Sequence, residues 1–227
     1  MKTTGAPAKW VDRTAVRRAR NPETDQRRAA IVAAALEVIE IVGPSAGTSQ
    51  IAERAGVPRP HVYRHFESKD ELDTEIIRAA STQLREAVRA ALSTGKAIPE
   101  MLSDGIETAV AWAAEHPNLY RFLAARQQTR ALHRVRLGRG RFLDMFVDAV
   151  AASAGTPVDE VAVPDGILAG LVGMIDASII WWLDHDDETQ ADVAQRLTRQ
   201  VDLVITDLFA QHGLPAPADI AFPRLSS

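Results

Sequence analysis

The chain has 227 residues, 46% hydrophobic and 25% charged, with no cysteine and a formal net charge of −4. That length supports one large domain or two modest ones with a real core. The absence of cysteine excludes disulfide frameworks, thiolate nucleophiles and Cys-ligated zinc or iron–sulfur sites, and no run approaches the ~20 apolar residues of a membrane span. The charge is unevenly spread. Residues 1–70 hold twelve Lys/Arg against eight Asp/Glu, a net of +4, whereas residues 71–227 hold fourteen against twenty-two, a net of −8. A basic front on an acidic protein is the asymmetry expected when one end docks on phosphate.

In chain order, residues 1–22 carry Lys2, Lys9, Arg13, Arg17, Arg18 and Arg20 with little apolar periodicity. They read as a basic flexible arm, either a solvated tail or a segment that enters a minor groove. With no apolar h-region there, no secretory signal is expected and the expected location is cytoplasmic. The first helix starts at Asn21-Pro22 or Thr24 and buries Ile31, Ala34, Ala35, Val38 and Val42 at helical spacing. Gly43-Pro44 ends it. Thr48 or Gly47 caps a short helix burying Ile51, Ala52 and Ala55. Gly56 then permits a tight turn, and Val57, Val62 and Phe66 point inward from a second short helix. Ser68 and Glu71 form a capping box for a long helix running to about Ser93.

The pattern stays helical behind that point. Segments are expected at 99–116, from Pro117 to about Arg126, and at 129–154, followed by a loop at 155–162. Pro164 to Leu183 is almost wholly apolar, which predicts burial on more than one side. Thr189 to Gln211 carries a stripe of Val193, Leu197, Val201, Val204, Ile205 and Leu208. The expected fold is all-α, with about nine helices and no strand or repeat. Its parts are the arm 1–22, a helix-turn-helix unit 23–70, a larger helical unit 71–212 and a loose tail 213–227.

Residues 48–66 are the most informative stretch. Two helices this short persist only when packed on a partner, and the second presents Arg59, His61, Tyr63, Arg64 and His65 on its outer face. That is the layout of a helix-turn-helix whose second helix enters a major groove. His61 and His65 stand four apart, as a metal pair does, but no third ligand is evident nearby. Neither a metal nor a cofactor is expected. Glu115-His116 and His185-Asp186-Asp187 are the best acid–base candidates for an enzyme. They come without a Gly-rich phosphate loop, a nucleophile elbow or a His-Glu-x-x-His run, so enzymatic activity is not expected.

Ile51-Ala52, Ala55-Gly56-Val57, Val62-Tyr63-Arg64-His65-Phe66 and Ser68-Lys69-Asp70-Glu71-Leu72 together resemble the N-terminal domain of TetR-type transcriptional regulators, over residues 26–73. The resemblance implies a DNA-contacting set of Thr48, Arg59, His61, Tyr63, Arg64, His65 and Lys69. Within it, Arg59 and His61 stand nearest base edges, while Tyr63, His65 and Lys69 hold phosphates. The chain departs from the family's pattern at Pro58, Pro60 and His61, and it is one residue shorter between Gly43 and Ile51.

The resemblance further implies a homodimer, here through helices 164–183 and 189–211, on a palindromic double-stranded operator. It also implies a small-molecule effector that releases a repressor from DNA. The side chains proposed to line the effector pocket are Trp112, His116, Tyr120, Phe122, Arg126, Met145, Met174 and Trp181, with Gln127 and Trp182 beside them. Gly170 to Met174 and Trp182-Leu183-Asp184 look like the same region in actinobacterial TetR-type regulators of lipid genes, which points to an apolar or acyl-chain effector. A DNA-binding regulator without any small-molecule effector is the alternative.

Overall fold

The computed structural model describes residues 22–91, 96–127 and 165–220. The described chain folds as α1 (Pro22–Val42), α2 (Thr48–Arg54), α3 (Arg59–His65), α4 (Lys69–Ala91), α5 (Ile98–Glu115), α6 (Pro117–Gln127), α7 (Asp165–His185), α8 (Gln190–Gln211) and a 3-10 turn at Pro217–Asp219. The expected arm, the helix at 129–154 with Met145 and the loop at 155–162 lie outside the described residues. So does the side chain of Arg126.

The front of the molecule is built from α1 to α4. Glu23 and Asp25 lie in the first turn of α1, where carboxylates complement the helix dipole, and Ile31, Ala34, Ala35, Val38 and Ile39 are buried. The buried face stops at Ile39, and Val42 is exposed. The chain turns away at Gly43 (φ 103°), whose N–H bonds to Ile39 O at 2.8 Å, so the last turn of α1 overshoots the core. Gly47, not Thr48, caps α2; its N–H bonds to Gln50 Oε1 at 2.9 Å.

α2 ends in a Schellman motif: Gly56 N–H bonds to Glu53 O at 3.1 Å and Val57 N–H to Ala52 O at 3.0 Å. Gly56 takes φ 66° there, a conformation that costs glycine little and other residues more. The capping box at α4 is only half formed as expected. Ser68 Oγ accepts from Glu71 N–H at 3.1 Å, but the Glu71 carboxylate turns to Glu67 N–H at 2.6 Å. It does so because Glu71 also receives Arg28 from α1.

Behind this front, α5 packs along α4 and α8, and α6 bridges α1, α4, α5 and α7. One apolar cluster runs without a break from Ile31 in α1 to Ile220. The apolar stripe of α8, offered as part of a pairing surface, is mostly internal: Val193, Leu197, Val201, Ile205 and Leu208 are buried within the protomer, and Val204 is exposed. Such a stripe seeks the nearest apolar partner, and α5 supplies it. α7 is also not buried all round. Gly166, Gly170, Gly173, Ala177 and Trp181, spaced three or four residues apart, are exposed along one side. Residues 213–220 are not a loose tail. Gly213 (φ 66°) turns the chain back, Pro217 and Ile220 are buried, and Ile98 N–H bonds to Ile220 O at 3.2 Å.

Candidate nucleic-acid interface

α3 has seven residues, too few to hold a helix by itself. Pro58 caps it and Pro60 sits in its first turn, where the missing N–H groups need no intrahelical partner. His61 N–H bonds to Pro58 O at 2.7 Å. Val62 and, just past the helix end, Phe66 are buried and lock the helix down. Arg59, Tyr63 and Arg64 are exposed, with His61 and His65 half-buried beside them.

Arg59 Cζ lies 6.0 Å from the centre of the Tyr63 ring, and Arg64 Nη1 is 3.3 Å from His61 Nε2. Tyr63 OH donates to Thr48 Oγ1 at 3.4 Å, joining α3 to the start of α2. Thr48 itself is only 7% exposed, so it stands beneath Tyr63. Lys69 is paired with Asp73 one turn along α4.

The electrostatics of this face are one-sided. The Thr48 hydroxyl, which can turn to donate to the phenolate, and then the Arg59 guanidinium hold the Tyr63 phenol below its ordinary value. Burial, followed by the charges of Arg27, Arg28, Arg64 and His61, pushes His65 below the usual imidazole range. An imidazole depressed in the fold is protonated more readily in the unfolded chain. Stability is therefore fully present above the unfolded value of about 6.5 and is lost as pH falls through the folded value. Replacing His65 by Asn should remove that dependence. Urea midpoints of wild type and variant should draw apart, in the variant's favour, between pH 7.5 and 5.5. A constant difference across that range would refute it.

The residues expected to line an effector pocket divide. Trp112, Tyr120 and Phe122 are buried and Met174 partly so. The Trp112 ring lies 4.8 Å from His116 and 6.4 Å from Tyr120. Tyr120 OH donates to Asp176 Oδ1 at 2.7 Å. Burial above all raises Asp176 above the usual carboxylate range, and burial with the nearby Asp176 charge pushes the Tyr120 phenol up. Trp181 does not join this group. It is 56% exposed, stacks on His185 at 3.7 Å and donates to Asp187 at 3.0 Å. Its neighbour Trp182 is the buried one, donating to Glu188 O at 2.8 Å. An open groove between α5 and α8, lined in part by Ser103, Glu107, Thr108, Thr198 and Arg199, contains none of the expected lining residues.

Sequence reasoning did not single out the polar residues that join front to rear. Glu40 in α1 accepts from Leu119 N–H at 3.0 Å and, through its carbonyl, from Asn118 Nδ2 at 2.9 Å. Arg121 then reaches Asp184 in α7 at 2.8 Å. Four consecutive residues of α6 thus hold both α1 and α7.

A front of α1 to α4 with a locked, outward-facing basic α3, set on a larger helical body, has the architecture of a helix-turn-helix DNA-binding regulator. Residues 31–76 match the family model described as "Bacterial regulatory proteins, tetR family", so this front is a DNA-binding domain of the TetR type. It is 28% identical over 188 residues to the HTH-type transcriptional activator FasR of Mycolicibacterium smegmatis, covering 81% of this chain and 84% of that protein. The fold is similar to that of a TetR-family regulator from Streptomyces coelicolor, with a TM-score of 0.64 and 18% identity over 83% of this chain and 86% of that one. The fatty acid degradation regulator FadR from Bacillus halodurans is also similar, at 0.60 and 19% identity, covering 80% and 95%. The family is one of regulators, so the enzymatic alternative has no support. Among the described residues, no helix is long and apolar enough to cross a membrane.

Proposed function

We propose that the protein acts in the cytoplasm as a homodimer on a palindromic operator, reading each half-site with α3 and responding to an apolar, acyl-chain effector. The observation that carries the DNA reading is α3 itself, held down by buried Val62 and Phe66 while Arg59, His61 and Arg64 face outward. Arg59 and His61 address base edges. Tyr63, Arg64, His65 and Lys69 hold phosphates and set register, and Thr48 acts by fixing Tyr63. The units of this reading are the arm 1–22, the reading head 23–70 and the body 71–212. One α3 reads only a few base pairs, so useful specificity needs two, about one DNA turn (~34 Å) apart.

The pairing surface is the exposed side of α7, from Gly166 through Gly170, Gly173 and Ala177 to Trp181. Leu203, 70% exposed, and Val204 on α8 extend it. Small residues let two helices approach closely, and the apolar residues around them gain by leaving water. The effector site centres on Trp112, His116, Tyr120, Phe122 and Met174, where Tyr120 and Asp176 supply a polar end to an otherwise apolar, aromatic group. The Bacillus halodurans neighbour is named for fatty acid degradation, which favours an acyl chain.

Release of a repressor is the primary reading of the response. The similarity to an activator over most of both chains favours a second, in which the bound protein promotes transcription. Either way the effector acts only through its differential affinity for two forms.

Duplexes selected by the protein from a random library should contain an inverted repeat, and micromolar palmitate or palmitoyl thioester should change their affinity. No enriched sequence would remove the DNA reading. Enrichment with no response to either lipid would favour a regulator without such an effector.

A further inference from the structure

We propose that Arg28, on α1, is a positioning residue that sets the pose of the reading helix without touching DNA. The inference rests on the reading of α3 as the DNA-reading element.

The C-terminal end of any helix leaves carbonyls without intrahelical donors, and α3 is too short to absorb that cost through length. Arg28 Nη1 donates to the carbonyl of His65, the last residue of α3. Its other terminal nitrogen, Nη2, donates to Glu71 Oε1 in the first turn of α4 at 2.8 Å. The second oxygen of Glu71 accepts from Glu67 N–H at 2.6 Å, and Glu71 N–H donates to Ser68 Oγ at 3.1 Å. Arg28 Cζ also lies 4.3 Å from the centre of the Phe66 ring, which is buried in the core.

One guanidinium therefore ties α1, the end of α3 and the start of α4, and the connecting residues 66–68 are closed around it. The planar fork is what makes this possible: two acceptors in different directions are met by one rigid group. The side chain is 22% exposed, and both terminal nitrogens already have acceptors inside the protein.

A phosphate contact and a positioning contact have different signatures. Losing a phosphate contact weakens binding to all sequences and flattens the salt dependence. Loosening the pose of α3 instead removes the alignment of base-reading side chains and leaves the positive charge of the face in place. The ratio of specific to non-specific affinity then falls by itself.

The test measures three quantities by fluorescence anisotropy on the full chain: affinity for a duplex selected by the wild type, affinity for its scrambled counterpart, and the salt slope of each. Arg28→Lys keeps the charge and the stem but not the fork. It should lower the ratio of the two affinities by about tenfold, with affinity for the scrambled duplex and both salt slopes unchanged. A wild-type ratio would overturn the proposal. So would an equal loss on both duplexes with a salt slope shallower by about one. If Arg28→Lys fails to fold, Glu71→Gln, which weakens only one arm of the brace, should show a smaller fall in the same ratio, and a wild-type ratio there would overturn it as well. If the wild type selects no sequence at all, the DNA reading fails first and the positioning role falls with it.

Discussion

Gly173→Arg should give a folded protomer that no longer pairs. A Cβ added at Gly173, Gly170 or Gly166 meets nothing within 4 Å among the described residues, and Gly173 is exposed, so a longer side chain there can extend into solvent away from the described core. Any residue other than proline also favours a helix interior over glycine, by roughly 0.5–1 kcal/mol against alanine. In the proposed dimer, the cost falls only where α7 meets a second copy. There, two long cations would be brought together across the two-fold axis and would prop the helices apart. Sedimentation at micromolar concentration should report a monomer. Affinity for a selected duplex should fall by about a thousandfold or more, because two linked half-sites become one. Gly173→Ala should change neither. A Gly173→Arg protein that remains dimeric would locate the pairing surface elsewhere on the molecule.

The second large effect is expected at Arg59→Ala. Arg59 is exposed at the start of α3, with its guanidinium near the Tyr63 ring rather than in the core. Stability should therefore move little, and the urea midpoint should match that of the wild type. Loss of a bidentate contact to guanine should weaken binding by about 1–3 kcal/mol per half-site and relax the preference at one base position in each. A repeated selection with the variant would show this directly. An unchanged consensus would mean that Arg59 is spent on the backbone and that His61 or Arg64 reads the base.

Much of the front was legible in the sequence because its signals are local. Gly56 marks a turn that needs positive φ, and Val62 and Phe66 are spaced to face one way from a helix too short to stand alone. The rear was less legible for a different reason. Helical periodicity says which residues of α8 share a face, but not whether α5 or a second chain covers it. Val193, Leu197 and Val201, offered as part of a pairing stripe, are buried within the protomer. Two adjacent tryptophans cannot both face one way from a helix, and nothing in the sequence says that Trp182 turns inward and Trp181 outward. Arg28, Glu40 and Asn118 act across separations of 37 to 79 residues. No local pattern marks such contacts, and an arginine early in a helix looks like any other surface charge.

The bridge through α6 bears on how such a regulator can be rebuilt. Asn118 and Leu119 grip Glu40 of α1, while Tyr120 and Arg121 grip Asp176 and Asp184 of α7, and the apolar core passes beneath them uninterrupted. The DNA-reading front is therefore not a cassette with a clean joint. A chimaera cut at residue 70 would sever α4 from the side chains it buries against and would leave Glu40 facing a stranger's α6. A graft that carries α1 to α4 together with the matching first turn of α6 would preserve the join, and with it the path by which events in the body could be felt at the DNA.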